Sequence, residues 1–233
     1  MTVDDPVPPA GLADFSVAPE RYAHLSVSDL VRRRARVNGD TVAYVSPDRR
    51  STWRDYDALA DKVCAEVLAL GGPGPVALQL PDAVEFHAAL VGCYRAGVMA
   101  VAIGSRSGPN EVAHIMTSAG ATVLVTTEEN RGRSAHELVD LLRGRGVDVS
   151  ALVLVVADDV AGSILLGAPP ATGGDVRAFS VDDVSLLNCT SGTTGRPKLV
   201  MQTQHRWNAF TAIASRNAEF SDSEILASFV PTP

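Results

Sequence analysis

Apolar positions along the chain recur in two alternating rhythms. One is a spacing of three and four: Tyr56, Leu59, Val63, Val67 and Leu70, and later Val84, His87, Leu90, Val91 and Tyr94. That spacing puts the apolar side chains on one face of a helix. The other rhythm is a short run of aliphatic and β-branched residues, at 76–80, 98–103, 122–126 and 152–156. Such runs predict strands covered on both faces. Helices are expected between them at 82–96, from Pro109 onward, and at 134–145. Strand–helix alternation of this kind predicts an α/β fold, a layered and mostly parallel β-sheet flanked by helices.

The flanking segments follow the same logic. Residues 28–37 predict a short amphipathic helix whose arginines, Arg32, Arg33, Arg34 and Arg36, form a solvated face, and 41–45 predict a strand. Thr52, with Asp55 three residues on, forms a weak capping box for the next helix, and Gly71-Gly72 end it. Residues 157–182, rich in Gly, Pro, Ala and Asp, read as a surface connection. Strands are then expected at 184–188, 199–203 and 225–230, with a helix at 205–217. Residues 1–25 read as an extended lead-in, since Pro6, Pro8, Pro9 and Pro19 discourage regular structure.

Composition narrows the function classes. A chain of 233 residues, 46% hydrophobic and 20% charged, can bury a sizeable core. A net charge of −7 argues against a nucleic-acid surface or a polybasic membrane patch. No run approaches the ~20 apolar residues of a membrane span, and the acidic start is unlike a signal peptide. A cytoplasmic protein is therefore expected. Cys64, Cys93 and Cys189 are scattered and predict reduced thiols rather than a disulfide frame or zinc site. His24, His87, His114 and His136 lack metal-ligand spacing and read as surface or core residues. Cys189 reads as a strand-end core residue.

Chemistry concentrates in Thr190-Ser191-Gly192-Thr193-Thr194-Gly195-Arg196-Pro197-Lys198. Glycines let the backbone approach a ligand, successive N–H groups form anion-binding concavities, and hydroxyls add donors. Lys198 adds a full positive charge. Placed after a buried strand, this string reads as a polyphosphate cradle; the structural alternative is a hairpin turn that happens to be rich in Gly and Thr. It is not a Walker A loop, because the spacing is Gly192-x-x-Gly195-x-x-Lys198 and Leu199 follows the lysine. That departure weakens a kinase or ATPase reading.

The same nine residues resemble the phosphate loop of the adenylate-forming superfamily of acyl-CoA synthetases, nonribosomal adenylation domains and luciferases. Thr52-Trp53-Arg54-Asp55-Tyr56 is similar to an early segment of that family, as is Pro81-Asp82 with Glu85-Phe86 and Ala96-Gly97. The resemblance implies that the chain is the first part of the large N-terminal domain of such an enzyme. It implies a carboxylic acid substrate, ATP with Mg2+, and coenzyme A or a phosphopantetheine carrier protein as thiol acceptor. Thr190, Ser191, Gly192, Thr193 and Thr194 would hold the β- and γ-phosphates, Gly195 would let the loop close, and Lys198 would be the catalytic cation; no residue is assigned to a metal.

Where most members carry glycine after the lysine, this chain has Leu199. Pro197-Lys198-Leu199-Val200 is similar to the aryl-acid-activating branch, yet Gln204 intervenes between Thr203 and His205, where that branch has a Thr-His pair. His205 then reads as a helix-start residue. The resemblance also implies that the acid pocket, the adenine and ribose motifs and the mobile C-terminal domain lie beyond residue 233. The expectation is an incomplete N-terminal adenylation domain at 26–233, inactive alone. The alternative is a non-catalytic fragment that holds nucleotide weakly or needs a complementary chain.

Overall fold

Residues of the central strands divide by parity between two cores. Val76 and Leu78 face one cluster and Ala77 the other; Val123 and Val125 oppose Leu124; Ala151, Val153 and Val155 oppose Leu152 and Leu154. A period of two, apolar at both parities, is what a sheet covered on both sides requires. The computed structural model describes residues 25–47, 49–71, 74–157, 159–167, 179–190, 196–219 and 226–227.

The described elements are α1 (Val27–Asn38), β1 (Val42–Ser46), β2 (Arg49–Thr52), α2 (Trp53–Ala69), β3 (Val76–Gln79), α3 (Val84–Arg95), β4 (Ala100–Ala102) and α4 (Pro109–Ala119). There follow β5 (Val123–Thr126), β6 (Glu129–Asn130), β7 (Arg133–Ser134), α5 (Ala135–Arg143), β8 (Ala151–Val156), β9 (Asp159–Leu165), β10 (Val184–Cys189), β11 (Leu199–Thr203) and α6 (Gln204–Asn217). Seven strands form the main sheet in the order β11-β10-β4-β3-β5-β8-β9. The five inner strands are parallel and the two outer ones antiparallel to their neighbours. Helices α1, α2 and α3 cover one face, and α4 and α5 the other.

Two capping boxes fix helix starts. Thr52 Oγ1 accepts from Asp55 N, and the Asp55 carboxylate accepts from Thr52 N at 2.8 Å, as the sequence predicts. These bonds from Thr52 hold the Asp55 carboxyl below its usual range. Ser134 and Glu137 repeat the device at α5. At the end of α2, Gly71 takes φ +85° and turns the chain.

The structure corrects the reading of 157–182 as surface connection. Residues 159–165 form β9, which pairs antiparallel along the whole of β8. This edge strand is only partly buried, has a register shift, and carries Gly162 at φ +121°, so it lacks clean apolar alternation. The hairpins β1–β2 and β6–β7 are also absent from the sequence reading, since β2 is short and half-exposed and β6 and β7 have two residues each. The strand expected at 225–230 lies, apart from Leu226 and Ala227, outside the described residues, as does the lead-in before Leu25.

Polar links tie the helices of the first face together. The nearly buried Arg95 guanidinium on α3 pairs with Asp57 and Asp61 of α2 and donates to Ser28 Oγ of α1 at 2.9 Å. Arg49 of β2 pairs with the buried Glu85 of α3. Arg32 pairs with Asp61, and Arg34 lies 5.4 Å over the Trp53 ring, so two of the helix arginines are engaged locally.

His87 sits within an aromatic cluster, stacked on Tyr44 at 5.1 Å and edge-on to Phe86 at 5.5 Å. Burial pushes its pKa from 6.5 down to about 4, with Asp82 opposing the shift. The unfolded chain therefore binds this proton more readily. Stability contributed by the neutral ring is complete above pH 6.5 and falls away as the pH drops to about 4. His87→Phe keeps the stacking and removes the titration. Urea unfolding across this window should show the parent losing up to about 3 kcal/mol more than the variant; identical acid limbs would refute the assignment.

Candidate functional site

The string from Thr190 to Lys198 begins where β10 ends. β10 runs parallel to β4, so this end lies at the carboxyl edge of the sheet with the ends of β3, β4 and β5. Ligands of open α/β sheets bind at that edge. The structure places the two ends of the string and brings them together. Thr190 N donates to the Lys198 carbonyl at 2.9 Å, and Lys198 N donates to Thr190 Oγ1 at 3.0 Å. These bonds extend the β10–β11 ladder one step beyond the Cys189–Leu199 pair and close the neck of the loop.

Both residues keep chemistry to spare. The bond from Lys198 uses an acceptor position of the Thr190 hydroxyl and leaves its proton to donate elsewhere. Thr190 and Lys198 are exposed, and among the described residues no carboxylate pairs with the lysine. Ser191, Gly192, Thr193, Thr194 and Gly195 lie outside the described residues.

Around the neck, Cys189 is half-buried and its thiol donates to the Ala102 carbonyl at 3.1 Å. Burial, then the neighbouring Glu111, pushes the thiol up to about 11, which suits the core role expected of it and not a nucleophile. His205, at the start of α6, contacts Asp182 through Nδ1 at 2.8 Å, away from the neck, in keeping with a helix-start residue.

Sequence reasoning missed a second feature of the same edge. A cleft of about 270 Å3 opens beyond the ends of β3 and β5, lined by Gln79, Ser107, Thr127, Asn130 and the arginines Arg106, Arg131 and Arg133, with no carboxylate lining it among the described residues. Helices α4 and α5 both begin at its wall, where their N-terminal dipoles add to the positive potential. The Arg131-Gly132 turn of the β6–β7 hairpin has positive φ at both residues, +55° and +74°. A two-residue hairpin loop of type I′ requires positive φ at both central residues, so the β6–β7 pairing fixes this turn and with it where Arg131 and Arg133 stand. Gln79 is 2% exposed and donates to the Ser107 carbonyl at 2.9 Å, while its Oε1 has no partner among the described residues. The one sequence signal was this Gln at the end of an otherwise apolar strand.

Among the described residues no three His, Cys, Asp or Glu side chains converge as a metal site, and no helix is long and apolar enough to cross a membrane.

A family model described as AMP-binding enzyme matches residues 31–232. Long-chain-fatty-acid–CoA ligase FadD13 of Mycobacterium tuberculosis is 33% identical over 184 residues, covering 75% of this chain and 34% of that protein. Phosphinothricin tripeptide synthetase PhsC of Streptomyces viridochromogenes is 28% identical over 212 residues, covering 90% of this chain and 18% of that protein. The chain thus spans about a third or less of these curated relatives. Among solved structures, apo MbtA of Mycobacterium smegmatis aligns with a TM-score of 0.61 at 27% identity, over 86% of this chain and 38% of that chain. The anthranilate CoA ligase AuaEII, in complex with anthranoyl-AMP, shares the fold with a TM-score of 0.62 at 24% identity, over 79% of this chain and 36% of that one.

Proposed function

Because this chain belongs to the AMP-binding enzyme family, we propose that it supplies the phosphate loop of an ATP-dependent ligase that activates a carboxylic acid and passes it to a thiol. The observation that carries this reading is the closed neck, which holds the Thr190 hydroxyl and Lys198 together at the carboxyl edge of the sheet. In the reaction, a carboxylate oxygen attacks the α-phosphorus of ATP and the bond to pyrophosphate breaks. The thiol sulfur then attacks the acyl carbon, and AMP leaves.

The chain's part in the first step is to bind and orient the β- and γ-phosphates, which become the pyrophosphate leaving group. The Thr190 hydroxyl donates to them, Ser191, Gly192, Thr193 and Thr194 offer N–H and hydroxyl donors, and Gly195 lets the loop turn back. Lys198 offsets charge that grows on the leaving group. Mg2+ would arrive bound to the nucleotide phosphates; no step here is routed through it. For the second step, the arginine cleft supports an acceptor with a phosphorylated tail, as in coenzyme A or a phosphopantetheine carrier protein. The organisation we propose is an N-terminal adenylation domain from residue 26 onward, with 1–25 as its lead-in.

A second reading is favoured by the outer face of α6. Trp207, Phe210 and Ile213, with Met201 of β11, are 38–66% exposed. Further polypeptide laid on this face would complete the catalytic unit, and the chain alone would then bind nucleotide without turning it over.

Carboxylate-dependent ATP–pyrophosphate exchange tests both readings. It is run on this chain and on the longest natural polypeptide that carries it, over a panel of aryl and alkyl acids. Aryl acids come first, as Pro197-Lys198-Leu199-Val200 suggests. Acid-dependent exchange by the longer polypeptide is the expected result and supports the ligase assignment. Silence of this chain alone in the same assay would add the second reading to it, and exchange by this chain would remove the second reading. Turnover of ATP indifferent to every acid in both samples would overturn the ligase assignment.

A further inference from the structure

Helix α4 lies beside the neck of the loop, and one of its side chains touches it. His114, in the middle of the helix and partly buried, has Nε2 3.2 Å from the Pro197 carbonyl oxygen. A proline contributes no N–H, so this carbonyl is its only backbone hydrogen-bonding group. It also lies one residue outside the closed ladder, whose last bonds join Thr190 and Lys198.

The two Thr190–Lys198 bonds join the arms only to each other, so they open if the exit arm swings away from the entry arm. The His114 contact joins that arm to the helical layer. One turn earlier, Glu111 lies close enough to influence the Cys189 thiol on the entry arm. One face of α4 therefore accompanies both arms of the loop.

We propose that His114 is a positioning residue for the loop: its Nε2–H donates to the Pro197 carbonyl and fixes the exit arm, and with it the point from which Lys198 reaches the phosphates. The hydrogen bond requires the proton on Nε2, which commits a neutral ring to that tautomer. The consequence for nucleotide rests on the phosphate-loop reading above; the consequence for the neck does not.

The test uses this chain with His114→Ala and His114→Gln, since a glutamine amide can donate over a similar reach. In the unaltered protein, imidazole 15N resonances at a pH where the ring is neutral should show Nε2 protonated. Amide hydrogen exchange at Thr190, Lys198 and Leu199 should quicken about tenfold in His114→Ala, and return most of the way in His114→Gln. Exchange at Val112, Ile115 and Met116 should stay unchanged, which separates lost positioning from a loosened helix. Affinity for MgATP should fall severalfold with alanine and recover with glutamine. An unprotonated Nε2, which cannot donate to a carbonyl, would overturn the proposal even if the variants fail to fold. So would unchanged exchange at the neck. A faster neck with unaltered MgATP affinity would keep the positioning contact and overturn the phosphate-loop reading.

Discussion

Gly92→Val should lower the free energy of unfolding by about 3 kcal/mol or more, the upper range of core overpacking. Gly92 lies on α3 where that helix meets α2. A Cβ added there would stand 2.8 Å from Val63 Cβ and Cγ1 and 2.9 Å from the Ala60 carbonyl oxygen. Ala60 and Val63 are fully buried, so neither can move into solvent, and the carbonyl belongs to the helix backbone. Relief requires the helices to separate, which loosens the core that also carries Leu59, Val67 and Val91. Alanine decides between two effects. Its better helix propensity would contribute about 1 kcal/mol of stability, but the clash should outweigh it and leave a net loss of about 1–2 kcal/mol. Gly144→Ala is the control, with a new Cβ no closer than 3.4 Å to its nearest neighbour, and should change stability by no more than about 0.5 kcal/mol. Urea midpoints at unchanged slope measure all three. A Gly92→Ala protein as stable as its parent would show that α2 and α3 have room to separate.

The reach of the sequence reading follows from where information is local. The inner strands were legible because burial on both faces makes each a continuous apolar run, and α2 was legible from its spacing and its Thr52–Asp55 cap. β9 was not: Gly162 and its half-exposed residues erase alternation, and its pairing with β8 is a tertiary fact. Gly92 gave no sign either, since a glycine within a helical run shows its role only against the opposing helix. The loop stands out in the sequence because Gly, Thr and Lys fall in one string. The arginine cleft does not, because Arg106 comes from the segment after β4 while Arg131 and Arg133 come from the β6–β7 hairpin. Each reads alone as a solvated surface charge, and only the sheet topology makes them neighbours. His114, between Ala113 and Ile115, was assigned to surface or core because its partner Pro197 is 83 residues away.

Lys198→Ala is expected to lower carboxylate-dependent pyrophosphate exchange by about 100-fold or more in the natural polypeptide that carries this chain, the effect of removing one charge-stabilising donor. The substitution isolates the ammonium. Both bonds that close the neck use the Lys198 backbone, its N–H toward Thr190 Oγ1 and its carbonyl toward Thr190 N, so alanine leaves them in place. The side chain is exposed and unpaired with any described carboxylate, so stability should change by no more than about 0.5 kcal/mol. Lys198→Arg keeps the charge on a differently shaped group and should fall between parent and alanine. Thr190→Val leaves the ammonium intact and removes the Thr190 hydroxyl both as the acceptor of Lys198 N–H and as a proposed donor to the phosphates. Were the neck alone responsible for activity, Thr190→Val would abolish exchange while Lys198→Ala left it untouched. That pattern would move Lys198 from catalysis to loop architecture. Loss in both variants is expected, because an ammonium can stabilise the leaving pyrophosphate only from an arm held in place.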